Sequence, residues 1–215
     1  MFVKLWMKKD PIVVAQDQTI SEADALMRQH KVRRLPVVNA ENELTGIITR
    51  QDIMKAMSAD LSPESAPPGG DVPVAAFMTS SPITVDPMDP LEIATDIMRK
   101  NKISGLPVVA KEGTLLGIIT ESDVCRALTD ILSVGEAGAR IELQIGKDAR
   151  NIYDIFNIFK DFDMIVISMA LYSAFSENYQ LLTVRVQGEE MEKMLDALWK
   201  SGVKVHRAMV DDTDG

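Results

Sequence analysis

The sequence predicts a mixed α+β and α/β chain in which a strand–helix–strand–strand–helix unit occurs twice and a separate β-α-β-β-α-β domain follows. Three observations predict it. An ungapped internal repeat runs through roughly the first 130 residues, helix and strand periodicities alternate inside each copy, and the patterning changes character beyond Gly138.

The repeat has an offset of 71 residues, which carries position 10 onto 81 and position 46 onto 117. Asp10-Pro-Ile-Val-Val14 recurs as Ser81-Pro-Ile-Thr-Val85, and Val32-Arg-Arg-Leu-Pro-Val-Val38 as Ile103-Ser-Gly-Leu-Pro-Val-Val109. Gly46-Ile-Ile-Thr-Arg-Gln-Asp52 recurs as Gly117-Ile-Ile-Thr-Glu-Ser-Asp123. Met7 and Met78, Met27 and Met98, and Arg28 and Arg99 fall in the same register with no insertion.

Within each copy the elements follow in order. Ile20, Ala23 and Met27 have helical spacing, repeated by Leu91, Ala94 and Met98. Leu35-Pro-Val-Val38 reads as a short apolar strand, Glu41-Asn-Glu43 as a polar turn, and Leu44 to Ile48 as a second strand. Thr49 opens a helix holding Ile53, Met54 and Met57, and Gly46 reads as the end of a tight turn. A unit of about 50 residues buries too little surface to stand alone, so the two copies should pack into one body. Asp60 to Asp71, rich in Pro, Gly and Ser, reads as a mobile surface loop between them. The expected boundaries are 1–60 for the first copy, 61–72 for the linker and 73–132 for the second copy.

A last domain is expected over 139–211. Arg140 to Ile145 alternates with period two, and Ile152, Ile155, Phe156 and Phe159 form a helical stripe. Met164 to Ala174 reads as a strand and Ser176-Glu-Asn178 as a turn. Leu182, Val184 and Val186 alternate with Thr183 and Arg185. Met191, Met194, Leu195 and Leu198 mark an amphipathic helix ending before Gly202, and Val203 to Val210 completes the set. This order is the ferredoxin-like arrangement.

Composition narrows the function. With 46% hydrophobic and 26% charged residues the chain is globular in character. Its apolar runs are far shorter than the roughly 20 residues that cross a bilayer. The start lacks the charge, apolar and cleavage-site order of a secretory signal, so a cytoplasmic location is expected. A net charge of −9 argues against nucleic acid and anionic membranes as partners. Arg28, Lys31, Arg33 and Arg34, with His30 among them, nevertheless form a basic cluster suited to one small anion. Cys125, the single cysteine, excludes an intrachain disulfide and reads either as a redox-sensitive thiol or as a packed or half-buried helix residue.

The motif Gly-Ile-Ile-Thr-x-x-Asp allows two readings. Thr49 with Asp52, and Thr120 with Asp123, have capping-box spacing, worth about 1 kcal/mol of helix stability. The same geometry suits a ligand. Helix N-termini favour anions, a carboxylate can accept from two ribose hydroxyls, and a threonine hydroxyl can donate to a phosphate or a sugar.

The Pro-Ile-x-Val start, the Leu-Pro-Val-Val strand and the Gly-Ile-Ile-Thr-x-x-Asp ending, each present twice, resemble a tandem pair of CBS domains (a Bateman module) over about residues 1–132. The resemblance implies two clefts about a pseudo-two-fold axis, commonly binding AMP, ADP, ATP or S-adenosylmethionine as a regulatory ligand; with one cysteine and no metal-spaced cluster, no metal and no obligatory cofactor are expected. It places Asp52 and Asp123 on the ribose, Thr49 and Thr120 near ribose or phosphate, and Ile12, Val13, Ile83 and Thr84 around the adenine. Arg33 and Arg34 stand where related nucleotide sensors carry phosphate-binding residues, or are solvated surface groups. Ser104 and Gly105 replace them in the second copy, so a phosphorylated ligand is expected in the cleft that Arg33 and Arg34 serve, and a neutral or weakly charged one, or none, in the other.

The last domain resembles an ACT domain, although Gly146-Lys-Asp-Ala-Arg-Asn151 lacks that family's Pro-Gly step, which puts amino-acid binding in doubt. The combined order is similar to bacterial acetoin-utilisation CBS–ACT proteins. The expectation is therefore a homodimeric regulatory sensor, with a regulated protein partner, rather than an enzyme. His30 and His206 belong to no recognisable catalytic set. The rival reading is a ligand-free dimerisation scaffold or partner-binding subunit.

Overall fold

A computed structural model of the chain describes residues 1–59, 72–146, 152–173 and 178–210. The loop expected over Asp60–Asp71, most of the Gly146–Asn151 segment and the turn at Ser176 and Glu177 therefore lie outside the described residues. The chain divides into two units, Met1–Cys125 and Arg126–Gly215, each with its own packing.

The first unit follows the repeat. A 3-10 turn over Val3–Leu5 leads to β1 (Lys8–Lys9), β2 (Val14–Ala15), α1 (Ile20–Gln29), β3 (Arg34–Val38), β4 (Leu44–Thr49) and α2 (Arg50–Ala59). The second copy gives a 3-10 turn over Val74–Ala76, then β5 (Thr79–Ser80), α3 (Leu91–Asn101), β6 (Gly105–Val109), β7 (Leu115–Thr120) and α4 (Glu121–Ile131). All six residues of the predicted helical stripes, Ile20, Ala23, Met27, Leu91, Ala94 and Met98, are buried. Thr19 starts α1 with a capping box to Glu22, whereas α3 starts after Pro90 with no side-chain cap. The counterpart of β2 in the second copy shrinks to a single parallel bridge, Val85 to Val108.

The copies are interlocked. β1 from the start of the first copy pairs with β7 of the second, and β5 from the start of the second pairs with β4 of the first. The sheets thus read β2-β3-β4-β5 and β1-β7-β6. The 3-10 turns cross over as well. The Val74 and Ala75 N–H groups donate to the Gln18 and Gln16 carbonyls, and those of Val3 and Lys4 donate to the Asp89 and Pro87 carbonyls. Val74 accordingly packs in the first copy's core with Ile20, Met27, Leu35, Ile48 and Ile53. At the opposite end of the dyad the Leu44 and Leu115 N–H groups donate to Gly113 and Asn42 across the two hairpin turns.

This exchange explains the motif glycines. Gly46 and Gly117 lie inside β4 and β7 rather than at a turn. A Cβ on Gly117 would stand 2.7 Å from the Lys8 carbonyl oxygen of the crossing strand, and one on Gly46 would stand 2.5 Å from the Met78 sulfur. The glycines leave room for the exchanged strands. Cys125 is also corrected: it is exposed, because it lies off the face of α4 that buries Ala127.

The second unit holds β8 (Ala139–Gly146), α5 (Ile152–Asp161), β9 (Ile165–Tyr172), β10 (Tyr179–Gln187), α6 (Met191–Lys200) and β11 (Lys204–Val210). The antiparallel sheet runs β11-β8-β10-β9, the ferredoxin-like strand order. Alternate residues Ala139, Ile141, Leu143 and Ile145 of β8 pack with Leu182, Val184 and Val186 against Ile155, Phe159, Met194 and Leu198 of the helices. Thr183 and Arg185, on the alternate positions of β10, are buried too. Residues before β8 tie into this part of the sheet: Arg185 Nη1 donates to the Glu136 carbonyl at 2.6 Å and Ser168 Oγ to the Leu132 carbonyl at 3.1 Å.

Gly117→Ala, which meets backbone, is expected to destabilise the protein by about 1–3 kcal/mol, and Gly46→Ala, which first meets a pliable methionine, by less. Urea unfolding of the two variants checks the order.

Candidate functional site

Each motif threonine is the last residue of its strand, and the helix starts one residue later. The Thr49 N–H and Oγ1 donate to Asp52 Oδ2 at 2.9 and 2.6 Å, and the Asp52 N–H points back to Thr49 Oγ1 at 3.4 Å. Thr120 and Asp123 repeat this at 3.0, 2.6 and 3.4 Å. The capping boxes read from the sequence are formed. They also change what the threonines can offer. A hydroxyl has one proton, and here it is given to the aspartate, so toward a ligand each threonine presents a lone pair rather than a donor.

Two cavities lie about the dyad of the first unit. One, of about 440 Å³, holds Thr49. Its apolar wall is Ile47 with Pro82, Ile83, Ile103 and Pro107, and its polar wall is Arg33, Arg34, Arg50 and Lys102. The other, of about 480 Å³, holds Thr120 and Asp123. Its cations are Lys8, Lys31, Arg33 and Arg34, its acids Glu121 and Asp123, and its apolar side chains only Val32 and Ile118.

The basic cluster is divided by the fold. Arg28 is paired to Asp24 at 2.6 Å on its own helix, and His30 is the exposed C-cap of α1; neither lines these cavities. Arg33 and Arg34 line both, so they cannot by themselves direct a phosphorylated ligand to one cleft, contrary to expectation. The reason lies at the dyad. Arg34 hydrogen-bonds Ser104 Oγ and reaches into the space that its counterpart Gly105 leaves, where a Cβ would collide with the guanidinium. Burial holds the Arg34 guanidinium below its ordinary pKa, Glu121 pulls it back up, and Arg33 pushes it further down.

Lys31 and Lys102 occupy equivalent positions just after α1 and α3, with φ of 54° and 55°. A left-handed lysine at a helix end costs roughly 1–2 kcal/mol against the glycine usually found there. Each one lines a cavity, Lys31 the Thr120 cleft and Lys102 the Thr49 cleft. Sequence reasoning passed over Lys102 as a site residue and missed Arg50 and Glu121 altogether. The signal was present in the repeat alignment, where Arg50 and Glu121 are the same position with opposite charge.

The remaining expected residues separate. Ile83, 44% exposed, lines the Thr49 cleft, whereas its counterpart Ile12 packs against the core of the first copy. Val13 and Thr84 are half-buried and line neither cavity. Asp52 stays behind Thr49, outside the lining of that cleft, with Lys55 Nζ at 4.0 Å from its second oxygen. Strand exchange also crosses the copies: Thr49 of the first faces Ile83 of the second.

The sequence profile of the CBS domain matches residues 3–59 and 74–130, just over half of the chain. The chain belongs to the CBS-domain family. It is a tandem CBS pair, followed by a sheet domain that this profile does not reach. A CBS domain-containing protein of Dictyostelium discoideum is 31% identical over 136 residues, which cover 61% of this chain and 94% of that protein. The inosine-5′-monophosphate dehydrogenase of Korarchaeum cryptofilum is 37% identical over 116 residues, 54% of this chain and 22% of that enzyme. Such enzymes are therefore matched over about a quarter of their length or less.

Among solved structures, the CBS pair of protein MJ0100 in complex with 5′-methylthioadenosine and S-adenosyl-L-methionine is 30% identical, with a TM-score of 0.54, covering 60% of this chain and 97% of that one. CBSX2 in complex with AMP is 29% identical, with a TM-score of 0.54, over 60% and 97% of the two chains. AcuB of Vibrio cholerae, a protein named for acetoin utilization, is 29% identical, with a TM-score of 0.55, over 62% and 94%. No helix among the described residues is long and apolar enough to cross a membrane.

Thr49→Val and Thr120→Val remove the cap hydroxyl without changing side-chain shape, and each is expected to lower stability by about 1 kcal/mol. Urea unfolding without added ligand measures this separately from any binding effect.

Proposed function

We propose that this protein is a regulatory sensor that binds an adenosine-containing ligand, a nucleotide or S-adenosylmethionine, in the clefts of its CBS pair. The observation that carries the reading is the Thr49 cleft. Its volume of about 440 Å³ lies within the roughly 300–1,000 Å³ of small-molecule sites. It sets an apolar wall suited to a purine against four cations suited to phosphate. The relatives captured with AMP, and with 5′-methylthioadenosine and S-adenosyl-L-methionine, support the same ligand class.

In this reading Ile83, with Ile47 and Ile103, packs on the adenine, Thr49 accepts from a ribose hydroxyl, and Arg33 and Arg34 hold phosphate. Asp123 and Thr120 serve the ribose in the second cleft. Asp52 acts on ribose directly only if its second oxygen turns toward the cleft, and otherwise by orienting Thr49.

A ligand spanning both copies acts as a switch when it binds one packing of the module more tightly, and a coupling of about 1–3 kcal/mol is sufficient. We take the working form to be a homodimer, with domains at 1–60, 73–132 and 139–211. The last is an ACT-type module that relays the ligand state to a protein partner. Acetoin utilisation or related metabolism is the setting this domain order proposes. No catalytic step is assigned to the chain.

Calorimetry with AMP, ATP, S-adenosylmethionine and a panel of amino acids tests the reading. At least one adenosine compound is expected to bind, and Asp52→Ala or Asp123→Ala to weaken it beyond the roughly 1 kcal/mol that loss of a cap explains. Silence across the whole panel would favour the ligand-free scaffold.

A further inference from the structure

Resting on the reading that both clefts receive adenosine compounds, we infer that the residue after each motif threonine sorts the ligands by charge. Arg50 commits the Thr49 cleft to a phosphorylated compound. Glu121 commits the Thr120 cleft to an adenosine compound whose tail is neutral or positively charged.

The two cavities carry the same number of cations. Arg33 and Arg34 are common to both, Lys102 and Lys31 correspond under the repeat, and Arg50 in one is matched by Lys8 in the other. What differs is acid. Among the described residues the lining of the Thr49 cleft holds no carboxylate, and that of the Thr120 cleft holds Glu121 and Asp123. A phosphate entering the first meets the four cations of its described lining. In the second it meets a carboxylate at the position where the first offers a guanidinium.

The position is fixed by the backbone. The Arg50 N–H donates to the Arg33 carbonyl at 2.9 Å, and the Glu121 N–H donates to the Ser104 carbonyl at 3.3 Å, so both residues start their helices tied to equivalent positions of their own copies. Local physics favours an acid there, because the N-terminal end of a helix carries partial positive charge. Glu121 obeys that preference and Arg50 opposes it. An arginine kept against its local preference, in a cavity already holding three cations, is consistent with a site made for an anion.

Arg34 reinforces the difference. It is shared by both clefts, and Glu121 is the group that counters the effect of burial on its guanidinium. Part of its charge is thereby answered on the Thr120 side, while nothing in the Thr49 lining answers it. The apolar lining runs the same way: the Thr49 cleft can enclose a purine while the phosphates face its cations, and the narrower apolar surface of the other leaves the tail against Glu121.

The test uses the full chain, titrated calorimetrically with ATP and with S-adenosylmethionine at low ionic strength. Wild type is expected to bind both without competition, ATP in one site per chain. Arg50→Glu should weaken ATP by about tenfold or more, a factor that corresponds to about 1.4 kcal/mol. Glu121→Arg should open a second ATP site and make ATP compete with S-adenosylmethionine. Both residues are exposed, and melting curves verify that the variants fold. Failure of wild type to bind either compound overturns the adenosine reading itself. Competition between the two compounds for one site in wild type, or unchanged ATP stoichiometry in Glu121→Arg, overturns the sorting while the adenosine reading stands.

Discussion

Each CBS copy is completed by a strand and a 3-10 turn that belong to the other. β1 lies on β7 across Gly117, β5 lies on β4 across Gly46, and the turn that carries Val74 closes the core around Ile20 and Leu35. Everything that makes the site possible follows from this exchange. Because the chain crosses twice, the start of the second copy is delivered beside the threonine motif of the first, and a cleft arises that neither copy contains alone. The exchange also holds the Arg33-Arg34 and Ser104-Gly105 segments together at the dyad, where only one long side chain fits. Arg34 takes that space, and Gly105 concedes it.

Much of the architecture was legible in the sequence because it is local. The helical stripes at Ile20, Ala23, Met27 and their counterparts, the period-two run from Arg140 to Ile145, and the Thr-x-x-Asp caps all express relations between residues a few positions apart. The resulting elements agree with those readings to within a residue or two, as with β9, which spans Ile165–Tyr172 inside the broader expected run. What could not be read was non-local. The glycine of the motif looks like a turn residue in a linear string, and only a strand arriving from far along the chain, Lys9 opposite Gly117 in one sheet and Ser80 opposite Gly46 in the other, reveals it as a point of close approach. Thr183 and Arg185 look solvent-facing by alternation, yet both are buried, Arg185 with a bond back to Glu136.

The candidate site was legible by residue type and less so by grouping. Thr49, Thr120, Asp123, Arg33, Arg34 and Ile83 were found by motif and line the two cavities. Ile12 did not join them because its side chain packs into the core, which its exposed counterpart Ile83 does not do. The expectation that Arg33 and Arg34 serve one cleft failed for a reason of symmetry: residues beside a two-fold axis belong to both sides of it. Lys31 and Lys102 illustrate a different limit. Their left-handed backbone is invisible in a sequence where glycine would be the natural sign of such a turn.

The reciprocal strand exchange has a consequence for how such a protein can vary. A chain holding a single copy would have to borrow its missing strand and 3-10 turn from a second molecule, and the resulting pair would carry two identical clefts. Any substitution would then alter both at once, and an arginine placed at the axis would meet its own duplicate. Joining the copies in one chain removes that constraint. Position 34 can become arginine while 105 becomes glycine, and 50 can become basic while 121 becomes acidic, so the two clefts of one molecule can differ in charge on a common frame.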